Sequence, residues 1–347
     1  MLLRLQRNVP QSALDSIFLL CKELGYRARH PGGRADLLEL FGPGSPGDRS
    51  RFEDLSGVAQ VLDPGEAREL HELAARGAPS QVRVGDAAFG AGAVSLVAGP
   101  CAIEDEERLV EIARGVRAAG ATLLRGGAFK PRTSPYSFRG SGQRGLESLA
   151  RVKAETGLAV VTEVLDPRDV EAVGAVADMF QIGARSMSNF ALLSEVGRTR
   201  TPVLLKRGFG ARVRELLLAA EYVLAEGNDA LVLCERGVRG FDSVTRNLLD
   251  VGAVAYLKRV SHLPVIVDPS HAAGRADLVR PLARAGIAAG ADGLMIEVHP
   301  APAEVHSDGQ QAVSLEAFAE IARDVRRLVE IDGRRLVQPE LQPDVSA

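Results

Sequence analysis

From Val94 onward the chain alternates short, almost unbroken apolar runs with longer stretches in which apolar residues recur every three or four positions. The first pair is Val94 to Ala98, followed by a segment in which Leu109, Ile112, Ala113 and Val116 share one side of a 3.6-residue helix. The runs return at Thr122 to Arg125, Ala159 to Val164, Phe180 to Gly183, Val203 to Lys206, Leu231 to Cys234, Val265 to Val267 and Leu294 to Val298. A strand that is apolar along its whole length is buried on both faces, and a predicted helix follows each run, the last over about Leu315 to Val329. Eight such units in about 240 residues are the size of a (β/α)8 barrel, so the chain is expected to be an α/β protein built on a TIM barrel. A doubly wound open sheet would show the same periodicity.

The residues before this rhythm have another texture. Met1 to Val9 is apolar and strand-like, and Leu14, Ile17, Phe18, Cys21 and Leu24 mark one face of a helix. Asp36 to Phe41, a short helix near Arg51 to Leu55, and Val58 to Leu62 complete a small βαββ(α)β pattern. Beyond it a linker helix and a hairpin, Val82 to Val84 and Ala87 to Phe89 turning at Gly85-Asp86, lead into the barrel. The predicted organisation is a module over 1–62, a linker and capping hairpin over 63–92, the barrel over 93–332 and a loosely held tail over 333–347.

Composition removes several function classes. The 347 residues carry a net charge of −3 and no Trp, which leaves neither a basic field nor many stacking platforms for a nucleic acid. No apolar run is long enough to span a membrane, and the amino terminus lacks a basic segment, apolar core and cleavage site in series, so a cytoplasmic location is expected. The three cysteines are odd in number and far apart, which argues against a disulfide framework; Cys21 and Cys234 read as core residues.

In a barrel, chemistry collects at the carboxyl ends of the strands. There the sequence places Cys101, then Arg125 with Lys130 and Arg132, Glu163, Arg185, Lys206, Glu235 with Arg236, Asp268 with His271, and Glu297 followed by Asp308. Arg125, Lys130, Arg132, Arg185, Lys206 and Arg236 would repel one another at one mouth unless phosphate or carboxylate binds among them. Cys101, His271, Glu297 and Asp308 are a thiol, an imidazole and two carboxylates, a donor set for a divalent metal, although their spacing follows no short metal motif.

At these residues the chain resembles the class I 3-deoxy-D-arabino-heptulosonate 7-phosphate (DAHP) synthases, in particular the short branch with an amino-terminal ferredoxin-like domain. The resemblance runs from Val94 to about Glu330 through "AGPCAIE", "RGGAFKPRTSPYSFRG", "TEVLDP", "QIGAR", "LLKRG", "LCERG", "VDPSHAAG", "MIEVHP" and "SDG", in order. It implies condensation of phosphoenolpyruvate with D-erythrose 4-phosphate and water, the first step of the shikimate pathway to aromatic amino acids. Cys101, His271, Glu297 and Asp308 would hold the metal, which could be manganese, iron, cobalt, zinc or copper. Arg125, Lys130, Arg185, Lys206 and Arg236 would hold phosphoenolpyruvate, and Arg132 and Thr133 the phosphate of erythrose 4-phosphate. Lys130 is the expected proton donor to the new hydroxyl, with Glu163 or Glu235 as the base that activates water; Asp268 would orient His271 or fix the strand-seven turn.

The resemblance also implies a homo-oligomer, a tetramer by analogy. It makes the amino-terminal module an ACT-like regulatory domain for an aromatic amino acid, tyrosine or phenylalanine, with an oligomer interface as the plainer role. Ser186, Ser188, Ala272, Ala273, Gln310 and Ala312 depart from the pattern expected of the family, and none of them is a predicted ligand. A related enzyme, 3-deoxy-D-manno-octulosonate 8-phosphate synthase, uses arabinose 5-phosphate as acceptor; "KPRTS" favours the DAHP enzyme. A Schiff-base aldolase with Lys206 as nucleophile is a third alternative.

Overall fold

In the computed structural model of the protein, β7 (Ala93–Gly99), β8 (Leu123–Arg125), β9 (Ala159–Glu163), β10 (Met179–Ile182), β11 (Val203–Lys206), β12 (Leu231–Glu235), β13 (Val265–Val267) and β14 (Gly293–Glu297) pair in parallel in chain order. β14 returns to pair with β7, in register from Ser95 opposite Gly293 to Gly99 opposite Glu297, which closes the barrel and excludes the open sheet. The structure describes residues 1–6, 8–30, 36–45, 47–63, 69–131, 136, 140–302 and 309–340. None of the described helices is long and apolar enough to cross a membrane.

Helices cover the strands for local reasons. In α4 (Glu106–Ala118), Asp105 caps the first turn by accepting from Arg108 N at 2.8 Å, and Leu109, Ile112, Ala113 and Val116 are the buried stripe. α5 (Gln143–Thr156), α6 (Val170–Gly174), α7 (Phe190–Arg198), α8 (Val213–Ala225) and α9 (Val251–Val260) follow the next strands that carry them. After β13 come α10 (Pro269–Ala273) and α11 (Val279–Ala288), and α12 (Leu315–Ile331) closes the ring with Ser314 as its cap.

The amino-terminal end of the barrel is plugged. β5 (Val82–Val84) and β6 (Ala87–Phe89) form the predicted hairpin, and Val82, Val84, Ala87 and Phe89 join Val97, Leu123, Ala159, Val161, Met179, Leu204, Val232, Cys234, Ile266 and Met295 in one apolar interior. Gly85 sits at the turn with φ +52°, and a Cβ there would lie 2.9 Å from the Ala159 side chain at the start of β9. Cys234 is thus a core residue as expected, and burial pushes its thiol up to about 12.

The tail departs from expectation at its start. β15 (Arg335–Leu336) pairs in parallel with Ala93 and Val94, and Glu340 N donates to Asp86 at 2.9 Å. The amino-terminal end of β7 projects beyond β8 and leaves backbone groups unpaired, which these residues satisfy.

The chain divides into compact units Met1–Leu70 and His71–Ala347, a boundary that falls within the predicted linker over 63–92. The first contains β1 (Leu2–Leu5), α1 (Gln11–Glu23), β2 (Arg27–Arg29), β3 (Leu37–Phe41), α2 (Asp48–Glu53) and β4 (Val58–Leu62). Its antiparallel sheet has the order β2-β3-β1-β4, the ferredoxin-like arrangement. Leu3, Ile17, Leu38, Phe52 and Val61 are its core, with Cys21 among them, its thiol pushed up to about 11 by burial. The second unit begins at His71, followed by α3 (Leu73–Arg76).

Candidate active site

Side chains alternate across a strand, so the residue two places beyond an inward-facing one also faces inward. Val97, Leu123, Val161, Met179, Leu204, Cys234, Ile266 and Met295 face the apolar interior, one from each strand. Two places further stand Gly99, Arg125, Glu163, Gln181, Lys206, Arg236, Asp268 and Glu297. One step toward the carboxyl ends therefore turns the barrel from apolar to ionisable. Above this layer opens a cavity of about 340 Å3, lined in part by Cys101, Arg125, Lys130, Glu163, Arg185, Lys206, Arg236 and His271.

Two glycines make room for the layer. A Cβ at Gly183 would lie 1.9 Å from Glu163 Oε1, so "QIGAR" needs glycine where the carboxylate passes. At Gly99, with φ +145°, a Cβ would meet the Arg125 carbonyl at 2.1 Å.

Three of the four predicted metal ligands, Cys101, His271 and Glu297, meet at this mouth. One donor atom each from Cys101, His271 and Glu297 lies within 4.8 Å of the others, with Cys101 Sγ 3.4 Å from His271 Nε2. His271 is carried by α10, which Asp268 caps by accepting from His271 N at 2.9 Å, with Pro269 in its first turn. Burial pushes the imidazole down to about 3 despite the nearby Asp268 carboxylate, so the ring is neutral, the form that binds a metal. Asp268 Oδ2 lies 2.8 Å from Nδ1, placing a carboxylate behind the ring as in carboxylate–histidine–metal sites. Thiol, neutral imidazole and carboxylate fit a divalent transition ion. Asp308 lies outside the described residues.

Of the six cations predicted to converge, Arg125, Lys130, Arg185, Lys206 and Arg236 do line the cavity, while Arg132 and Thr133 lie outside the described residues. Their charge is partly answered from within. Lys206 Nζ bonds to Asp268, and Arg125 Nη2 lies 3.6 Å from Glu297 Oε2. Burial opposes the Asp268 charge, but His271, Lys206 and Arg125 hold its carboxyl well below the usual range. Both roles expected of Asp268, orienting His271 and fixing the turn, are thus visible, with the Lys206 pair added.

The two carboxylates considered as base are separated by strand alternation. Glu163 faces the cavity, and Gln181 Nε2 donates to its Oε2 at 3.1 Å. Burial raises its carboxyl above the ordinary value against the pull of Lys206, Arg125 and Arg185. Glu235 follows the inward Cys234 and precedes the inward Arg236, so it faces the other way. It is fully buried, accepts from Gly237 N at 2.6 Å and from Arg207 Nη1 at 2.8 Å, and is not among the cavity's lining residues. Its placement at the mouth is thereby corrected.

Several site residues escaped the sequence reading. Gln311 Nε2 donates to Glu297 Oε2 at 2.6 Å from a fully buried position. Asn247 Nδ2 donates to the His271 carbonyl at 3.0 Å, while the backbones of Arg246 and Asn247 bond to Ala273 and Ala272. Phe209, Arg239 and Arg246 line the rim. Strand alternation could have found Gln181; the others come from loops, whose meeting no local pattern encodes.

Residues 73–331 match the DAHP synthetase I family. A phospho-2-dehydro-3-deoxyheptonate aldolase from Thermotoga maritima is 46% identical over 288 residues, covering 82% of this chain and 84% of that protein. A 2-dehydro-3-deoxyphosphooctonate aldolase from Syntrophotalea carbinolica is 32% identical over 275 residues, 74% of this chain and 97% of that one. The crystal structure of DAHP synthase from Thermotoga maritima has a TM-score of 0.76 at 39% identity, covering 96% of this chain and 98% of its own. A truncated form of 3-deoxy-D-arabino-heptulosonate 7-phosphate synthase from Thermotoga maritima has a TM-score of 0.72 at 43% identity, covering 77% of this chain and 98% of its own.

Proposed function

The chain belongs to the DAHP synthetase I family, and from that premise we propose that it condenses phosphoenolpyruvate with D-erythrose 4-phosphate and water to give DAHP and inorganic phosphate. The observation that carries this reading is the cavity itself: five cations from four strand ends face a space of about 340 Å3 beside a Cys–His–Glu cluster. The higher identity to the heptonate aldolase than to the octonate aldolase, 46% against 32%, supports erythrose 4-phosphate as acceptor over arabinose 5-phosphate.

Arg185, Arg236, Lys206 and Arg125 hold the phosphate and carboxylate of phosphoenolpyruvate, and the planar forks of the three arginines set which face of C3 meets the aldehyde carbon. A divalent ion held by Cys101, His271 and Glu297, with Asp308 as the resemblance implies, supplies a Lewis acid for the acceptor aldehyde. As the new C–C bond forms, Lys130 gives a proton to the oxygen that was the aldehyde's. Water then adds at C2, Glu163 takes its proton, and the C2–O bond to phosphate breaks. Glu163 suits that task because burial has raised its proton affinity while leaving it at the cavity wall. Lys206 is engaged with Asp268, which disfavours it as a Schiff-base nucleophile.

The first unit is proposed to sense an aromatic amino acid, supported by its ferredoxin-like sheet and by every predicted site residue falling in the sequence beyond it. Truncation before His71 should abolish inhibition by tyrosine or phenylalanine; equal inhibition of both forms would contradict it. The enzymatic reading is tested by assaying phosphate release and DAHP formation from phosphoenolpyruvate with each acceptor. Turnover with erythrose 4-phosphate and little with arabinose 5-phosphate is expected. No turnover with either, or preference for the pentose, would overturn it.

A further inference from the structure

Three guanidiniums at the cavity, those of Arg185, Arg236 and Arg239, lie within ion-pair distance of no carboxylate among the described residues. Two of them share one aromatic ring. The Arg239 guanidinium lies 4.4 Å from the centroid of Phe209, and that of Arg185 lies 5.7 Å from it. A guanidinium stacked on a ring keeps its N–H donors at its edge, free to bind an anion in the plane. The ring therefore holds two positive groups close together without neutralising either.

Arg239 is also fixed at its backbone. Its N–H donates to the Phe209 carbonyl at 2.7 Å, and the preceding Val238 pairs with Leu248, with N–H to carbonyl distances of 3.0 and 2.8 Å. The loop after β12 is thereby tied to the loop after β11, and Arg239, although exposed, lines the cavity. Two like charges on one ring, with a third at the buried Arg236, are an arrangement that a dianion stabilises.

We infer that Arg239, presented by Phe209, is a third guanidinium for the phosphate of phosphoenolpyruvate, acting with Arg185 and Arg236. The inference rests on the proposed placement of that substrate. Phe209 is the positioning residue: it orients the Arg239 fork and carries no charge of its own.

The test is steady-state kinetics of the metal-loaded full chain, varying each substrate in turn. Arg239→Gln should raise the KM for phosphoenolpyruvate about tenfold, the lower end for losing a charge-assisted contact at an accessible site, with a smaller change for erythrose 4-phosphate. Arg239→Lys should recover only part of the loss, because an ammonium lacks the planar fork. Phe209→Leu should shift the same constant in the same direction by less. A selective rise in the KM for erythrose 4-phosphate, an equal rise for both substrates, or no change would overturn the inference. Arg236→Gln separates its failure from that of the underlying placement. If Arg236→Gln raises the phosphoenolpyruvate KM and Arg239→Gln does not, only the inference falls; if neither does, the placement falls too.

Discussion

At the amino-terminal end of the barrel, Val82, Val84, Ala87 and Phe89 fill the opening with apolar side chains; at the carboxyl end, Arg125, Glu163, Lys206, Arg236, Asp268 and Glu297 occupy the corresponding inward positions. Between them, the apolar layer that the plug packs against (Val97, Leu123, Val161, Leu204, Cys234, Ile266, Met295) lies two residues before the ionisable layer on the same strands, yet one excludes water and the other collects charge. Burying so many ionisable groups costs stability unless they are paired, and among the described residues the ion pairs at the site include Lys206 with Asp268 but none to Arg236. The plug and the barrel interior beneath offset that cost with apolar burial. The difference teaches that stability and chemistry are assigned to opposite ends, so changes at one should leave the other largely intact.

Removing the metal should break the active end most completely. Treatment with a chelator is expected to abolish DAHP formation, and a divalent transition ion should restore it; activity that persists in metal-free buffer would contradict the Cys101–His271–Glu297 site. Glu163→Gln should lower kcat by about a hundredfold or more, the ordinary contribution of a general base. Its sign on stability is the opposite. Because burial raises the folded-state pKa of Glu163, its contribution is present below the unfolded pKa and is lost as pH rises through the folded one. At neutral pH the neutral amide should therefore leave the Tm unchanged or higher, and calorimetry of the variant checks this.

Phe89→Ala should do the reverse. Deleting a fully buried ring from the plug is expected to cost about 3–5 kcal/mol of stability, measured by denaturant unfolding, with both KM values nearly unchanged in the surviving folded enzyme. The smallest effect sharpens the comparison by chemistry alone. With thiol pKa values of about 11 and about 12, Cys21 and Cys234 should stay unlabelled by a thiol reagent at pH 8. About a thousandth or less of each is thiolate there, whereas Cys101 at the mouth should react and be protected by bound metal.

Most of this architecture was legible from periodicity. Strands buried on both faces read as apolar runs, and a charged residue ending such a run marks the place where burial stops. The error over Glu235 arose because position at a strand end was used without the alternation along it. Cys234 and Arg236 face inward, so Glu235 cannot, and its partners are Arg207 and the Gly237 N–H. The pairing of Arg335 and Leu336 with β7 was hidden because a two-residue strand has no period. Phe209, Arg239 and Gln311 were hidden for another reason: each acts across loops far apart in sequence, and closing such loops leaves no local signature.

The account's central claim, that the carboxyl end of the barrel holds metal and phosphoenolpyruvate side by side, is tested most directly by crystals grown with manganese and phosphoenolpyruvate. An anomalous diffraction map should place the ion in bonding contact with Cys101, His271 and Glu297, with the substrate phosphate against Arg185 and Arg236. An ion bound elsewhere, or phosphoenolpyruvate outside this cavity, would contradict it.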